Sequence, residues 1–235
     1  MAKAVGLSRK LTLRWLNYAV DLLEENLSED EYKARINDYL SYEIDSPTVL
    51  RKTREILMRV WYYEDDQSVK AIREEALKLI KRYPDFDFVF HWCMLLVEYP
   101  VFADVCKIMG RIEDYNGTIT NSLLKQKLFD EWGERTTLFH STDKIIATMK
   151  ELGAISNSKP GYYTVNKRTI NNPEIVSFVL VSAMKVDGGS YYSFSELTEF
   201  ETLFPFEYSI IKESIFSDSH FLTTHFSGEM TVSIK

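Results

Sequence analysis

Through residues 1–115 the apolar positions recur at spacings of three and four, the period of amphipathic helices. In LRWLNYAVDLLEENL, Trp15, Leu16, Ala19, Leu22 and Leu23 share one side and the charges take the other. Ser28 followed by Glu31 has the spacing of a capping box and opens a second helix, EDEYKARINDYLS. Ser46-Pro47 starts a third, with Leu50, Ile56, Leu57, Val60 and Trp61 inward and Arg51, Lys52, Arg54 and Arg59 around the remainder. QSVKAIREEALKLIKRY is a fourth, stopped by Tyr83-Pro84. DFVFHWCMLLVEY is apolar all round, which marks a helix buried on every side, and VFADVCKIMGRI follows Pro100.

The pattern changes after Asn116-Gly117, a turn dipeptide, so a domain boundary is expected between residues 115 and 116. TITNSLLKQKLFDEWGER, residues 118–135, reads as one helix, with Leu123, Leu124, Leu128, Phe129 and Trp132 on its apolar face. In the next, Ser141 or Thr142 can cap the N-terminus, Ile145, Ile146, Met149 and Leu152 face inward, and Gly153 closes the C-terminus. AISNSKPGYYTVNKR then reads as strand, Pro-Gly turn, strand. Helix, helix and hairpin is the plan of a winged helix-turn-helix. Residues 171–235 repeat that plan loosely: helices in NPEIVSFVLVSAMKV, SFSELTEFETLF and PFEYSIIKESIFSDS, then a hairpin turning at Ser-Gly-Glu. The expectation is a mainly α protein. A helical bundle would occupy 1–115 and a winged-helix domain 116–235, divided into units at 116–170 and 171–235.

Charge sharpens this division. The chain of 235 residues carries a net charge of −7, and a uniformly acidic protein is a poor partner for a polyanion. The charge is not uniform, however. Residues 1–115 have 17 basic and 21 acidic side chains, residues 116–170 have 8 and 5, and residues 171–235 have 3 and 9. The one net-basic segment holds the expected recognition helix and wing. In a helix-turn-helix the second helix enters the major groove. Thr142, Lys144, Thr148 and Lys150 on that helix, with Lys159, Tyr162, Tyr163, Lys167 and Arg168 on the wing, are therefore the expected DNA contacts, mostly to phosphates. Asp143 and Glu151 oppose a polyanion, and the helix has no Arg, Asn or Gln for bidentate base contacts. A second basic group, Arg9, Lys10, Arg14, Arg51, Lys52 and Arg54, is either a solvated face laced with pairs such as Arg51 to Glu55 or a further phosphate-contacting surface.

Other chemistry finds little support. The four histidines lack carboxylates or thiols at ligand spacing, so no metal or cofactor is expected. There is no GxSxG, HExxH or Walker A segment, and Cys93 and Cys106 stand in apolar surroundings as reduced, buried thiols. The chain reads as a non-enzymatic cytoplasmic protein. Its most apolar stretch, FVFHWCMLLVEYPVF, is interrupted by His91, Glu98 and Pro100 and is too short to span a bilayer.

The segments YAVDLLEENLSEDEYKARI, SPTVLRKTREILMRVW, LKLIKRYPDFDFVFHWCMLLVEYPVFADV and STDKIIATMKELGAI, in that order, resemble the BrxA-like family, small accessory proteins of bacterial BREX phage-resistance systems. The resemblance implies a helical domain similar to that of the antitermination factor NusB, a winged-helix domain, and binding of double-stranded DNA without enzymatic activity. Other phage-defence subunits are implied as partners. It adds no site residues beyond those argued above. A protein-interaction adaptor docking another defence subunit and a transcriptional regulator stand as alternatives.

Overall fold

A computed structural model describes residues 6–64, 66–115, 117–226 and 229–235. The turns expected at Asn116 and at Ser227-Gly228 lie outside the described residues. The protein is mainly helical with small β-sheets.

Six helices come first: α1 (Leu13–Asp21), α2 (Glu29–Ser41), α3 (Pro47–Trp61), α4 (Gln67–Arg82), α5 (Asp87–Glu98) and α6 (Pro100–Asp114). Short polar side chains set their starts by accepting orphan backbone N–H groups. Thr12 accepts from Trp15 N, Ser46 from Val49 N and Asp66 from Ser68 N. The box between Ser28 and Glu31 forms in both directions. α5 is the central helix, buried at every position from Phe88 to Leu96. Among the described residues no single helix is long and apolar enough to cross a membrane. α5 with the turn before it, and α6, pass that test only as a pair bent by 113°, and their apolar side chains fill the core.

The chain continues through β1 (Ile119–Thr120), α7 (Asn121–Trp132), α8 (Thr136–Glu151), β2 (Ile155–Lys159) and β3 (Tyr162–Val165). These strands form one antiparallel sheet in the order β1-β3-β2. Then come β4 (Arg168–Ile170), α9 (Pro173–Asp187), β5 (Tyr192–Ser193), β6 (Phe206–Tyr208), α10 (Lys212–Ser217), β7 (Phe221–Phe226) and β8 (Glu229–Ile234). β4 and β6 pair in parallel, and β5-β8-β7 is antiparallel.

Of the helices expected in this last region, one is absent and one is shortened. SFSELTEFETLF forms two three-residue 3₁₀ turns, Glu196–Thr198 and Glu201–Leu203, and the following helix shrinks to the six residues of α10. The reason is tertiary. Trp92 on α5 draws Phe204 and Phe206 to its ring, at 5.5 and 6.0 Å between centroids, and its indole N–H donates to Thr202 O at 3.2 Å. A regular helix cannot present both rings and a free carbonyl to one indole, and Pro205 has no N–H with which to extend one. α9 lies directly on α5, with Phe178 5.4 Å from Phe90. One buried apolar cluster therefore runs from Leu7 to Val232, across the boundary expected at 115/116.

Candidate nucleic-acid interface

Helix α8 begins at Thr136, a turn and a half before the expected start, with Arg135 in the cap position and no side-chain cap. Leu138 explains the extension. It lies four residues before Thr142 and seven before Ile145, adds a turn to the buried stripe, and is fully buried. Ser141 and Thr142 thus lie inside the helix. The Thr142 hydroxyl donates to Leu138 O at 2.8 Å, and Thr148 makes the same back-bond to Lys144 O at 2.9 Å. Both threonines are fully buried and cannot contact DNA, which corrects the sequence-based assignment. Thr148 Oγ1 instead accepts from Leu11 N at 3.0 Å, and Lys10 reaches Glu151, so residues 10 and 11 lie against the C-terminal half of α8. The helix closes as expected at Gly153, φ +75°: Gly153 N donates to Lys150 O and Ala154 N to Met149 O.

The hairpin is placed by register. Ile155 pairs with Val165, Ser156 with Thr164 and Asn157 with Tyr163, with an irregularity before Lys159 pairs with Tyr162. The turn is Pro160-Gly161, and Gly161 has φ +76°. β1 joins from the other edge, and Asn121 N donates to Gly161 O at 3.0 Å, tying the start of α7 to the hairpin tip.

Of the expected contacts, Lys144, Lys150 and Lys159 are exposed and hold no ion pair among the described residues. At 100° per residue, Lys144 and Lys150 fall on opposite edges of the exposed stripe of α8. Lys150 reaches the hairpin, donating to Asn157 Oδ1 at 3.2 Å. Lys159 stands with its ammonium 3.8 Å from the centroid of the Tyr162 ring. Tyr162 and Tyr163 are half-buried, and burial, then the charge of Asp143, pushes the Tyr163 phenol upward.

Lys167 and Arg168 are drawn away from the hairpin. Lys167 pairs with Glu113 of α6 at 2.8 Å. Arg168 donates to Leu152 O at 3.2 Å and lies 4.2 Å over the ring of Phe88, filling the seam between α8 and α5. They are not wing cations.

The acids that argued against a polyanion are neutralised. Asp143 pairs with Lys125 of α7 at 2.6 Å, and Glu151 with Lys10 at 2.7 Å. Sequence reasoning missed the exposed N-terminal half of α8, with Thr136, Thr137, Phe139 and His140, and the exposed Gln126 and Lys127 of α7. The spacing of Leu138 from Thr142 and Ile145 was the available signal. Phe139 packs under the Lys125 ammonium, 3.4 Å from its ring centroid.

The second basic group is dispersed. Arg9 donates to Ser8 O, Lys10 holds Glu151, Arg14 pairs with Glu43, and Arg54 pairs with Glu55 and reaches Asn37. Arg51 and Lys52 stay exposed, with no ion pair among the described residues. No cluster of three or more metal-ligating side chains occurs among the described residues. No family model matches the chain, and no curated protein or solved structure matches it either.

Proposed function

We propose that residues 119–165 form a winged helix-turn-helix and that the protein binds duplex DNA through it, largely by phosphate contacts and with low sequence specificity. The order β1-α7-α8-β2-β3, with the sheet arranged β1-β3-β2, supports the winged-helix reading. The observation that carries the DNA reading is the division of charge on α8 and the hairpin. Asp143 and Glu151 are each held by an internal lysine, whereas Lys144, Lys150 and Lys159 are exposed without an ion pair among the described residues. Thr137 and His140 lie on the same exposed stripe, nearer the helix N-terminus that faces bases in this class of fold. The resemblance to BrxA-like proteins extends the proposal to a non-enzymatic accessory subunit of a BREX-type phage-defence system.

The test is fluorescence anisotropy of a labelled duplex of about 30 base pairs at several salt concentrations, a design suited to phosphate-dominated binding. Wild type should weaken steeply with salt. Lys144→Glu/Lys150→Glu/Lys159→Glu should bind far more weakly, with a log–log salt slope shallower by about 3 × 0.9. Absence of binding at low salt, or an unchanged variant, refutes the reading.

A specific observation favours the adaptor as a second reading. Ile211, Phe216 and Leu222 on the C-terminal unit are 52, 46 and 49% exposed. A contiguous exposed apolar patch is a mark of a protein contact, and α10, which carries Phe216, packs on β7, which carries Leu222. Phe216→Ser would abolish binding to a purified defence subunit if that reading holds, and leave DNA affinity unchanged.

A further inference from the structure

A cleft of about 670 Å³ opens between α3, the bend from α5 to α6, and the N-terminal segment at Gly6 and Ser8. Its volume falls within the range of about 300–1,000 Å³ typical of small-molecule sites. Ile56, Tyr99 and Pro100 give it an apolar floor, and Arg51, Lys52 and Arg59 stand around it. The spacing of α3 explains most of the lining: residues 52, 55, 56 and 59 follow at three and four, so they form one stripe, and Tyr63 follows just past the helix end.

Two carboxylates also line the cleft, and both are already committed. Glu55 accepts from Arg54 Nε at 3.0 Å and Nη2 at 2.5 Å, and from the Tyr63 hydroxyl at 3.0 Å. Glu98 accepts from the buried Arg73 at 2.5 Å and from Arg59 at 3.3 Å. Three cations therefore line the concavity beside two carboxylates, and Arg54 and Arg73 hold those carboxylates from outside the lining, in a protein whose net charge is −7. Arg51 and Lys52 are left without an ion pair among the described residues. Arg59 is half-exposed and stacks toward the Tyr99 ring at 5.9 Å, leaving part of its planar fork available. Guanidinium and ammonium groups around an apolar floor match a ligand with a phosphate at one end and a flat apolar body at the other.

We propose that this cleft binds a nucleoside phosphate, with the phosphate against Arg51, Lys52 and Arg59 and the base over Ile56 and Tyr99. The ligand is either a free mononucleotide or the phosphorylated end of a single strand. This site is separate from the α8 face.

Isothermal titration of the full chain with each of the four ribonucleoside monophosphates tests it. At least one should bind with one site per chain, and the matching nucleoside without phosphate should bind about tenfold or more weakly. Arg51→Ala/Lys52→Ala should lower the affinity by about tenfold or more. Lys78→Ala/Lys81→Ala removes the same charge from exposed pairs on α4 and should change nothing. The Lys144→Glu/Lys150→Glu/Lys159→Glu variant should bind nucleotide as wild type does, which separates this site from the DNA reading. A 5′-phosphorylated ten-nucleotide strand that binds more tightly than the monophosphate, and loses this with Arg51→Ala/Lys52→Ala, identifies the strand end as the source. Weaker strand binding identifies the free nucleotide. No binding by any monophosphate, or equal effects of the two double alanine variants, overturns the proposal.

Discussion

Gly110 on α6 tests whether the C-terminal region is built onto the helical bundle as one core. A Cβ added there would lie 2.3 Å from the backbone oxygen of Glu201 and 2.8 Å from its Cα. Two effects of Gly110→Ala compete. Replacing glycine by alanine inside a helix gains about 1 kcal/mol of helix propensity. Against it, a backbone carbonyl has no rotamer by which to step aside, so the 3₁₀ turn at Glu201–Leu203 must move as a piece. Overpacking of this kind costs about 1–3 kcal/mol. Displacing the turn also pulls Thr202 O from the Trp92 indole, where it accepts at 3.2 Å, for about another 1 kcal/mol. Phe204 is nearly fully buried against the same indole, and partial exposure costs about 1–2 kcal/mol more. The unfavourable side wins by about 2–5 kcal/mol. Urea unfolding followed by tryptophan fluorescence should show a midpoint lower by about 1 M or more, for a slope of about 2 kcal/mol/M. A variant as stable as wild type would refute the seating of the Glu201 turn on α6, and with it the continuity of the core.

Thr148→Val keeps the shape of a fully buried side chain and strands the N–H of Leu11, so it should destabilise by about 1–3 kcal/mol in the same unfolding assay. Its DNA affinity, measured where the protein is folded, should equal that of wild type; weaker binding without lost stability would return Thr148 to the interface. His91 is fully buried and neutral, its Nε2 against Asn17 Oδ1 at 2.5 Å, and burial lowers its pKa to about 3 from an ordinary 6.5. The unfolded chain takes up a proton there below pH 6.5 and the folded chain does not, so this stabilisation is complete above that pH and is lost as pH falls toward 3. Between pH 7 and pH 5, wild type should lose about 2 kcal/mol more than His91→Gln, and parallel stability curves would disprove the assignment.

The helix starts were legible where they depend on neighbours in sequence. The Ser28–Glu31 box, Ser46-Pro47 and the glycine closure at Gly153 all form as their spacing indicates. Legibility ended where a distant residue decides. Thr148 reads as a surface hydroxyl because its own turn leaves it nothing but a carbonyl to bond, and the N–H it accepts belongs to Leu11, 137 positions away. SFSELTEFETLF has helix-compatible spacing, yet the Trp92 ring takes its last residue, Phe204, together with Phe206 beyond Pro205, an arrangement no continuous helix provides. Arg168 looks like a wing cation until Phe88 is found beneath it.

The same distinction governs charge on α8. Counted along the sequence, the helix is nearly balanced and the protein acidic. At physiological salt, fields are screened within about 8 Å, so a phosphate at α8 responds to the groups beside it and little to the total of −7. Lys125 and Lys10 come from α7 and the N-terminal segment to occupy the two carboxylates of that helix at 2.6 and 2.7 Å. Each paired acid then presents a short dipole in place of a full charge, while Lys144, Lys150 and Lys159 keep theirs. Glu55 and Glu98 are occupied by arginines in the same way beside Arg51 and Lys52. Two basic surfaces in an acidic chain thus have one physical origin. Internal pairing consumes the carboxylates locally and leaves specific cations unmatched.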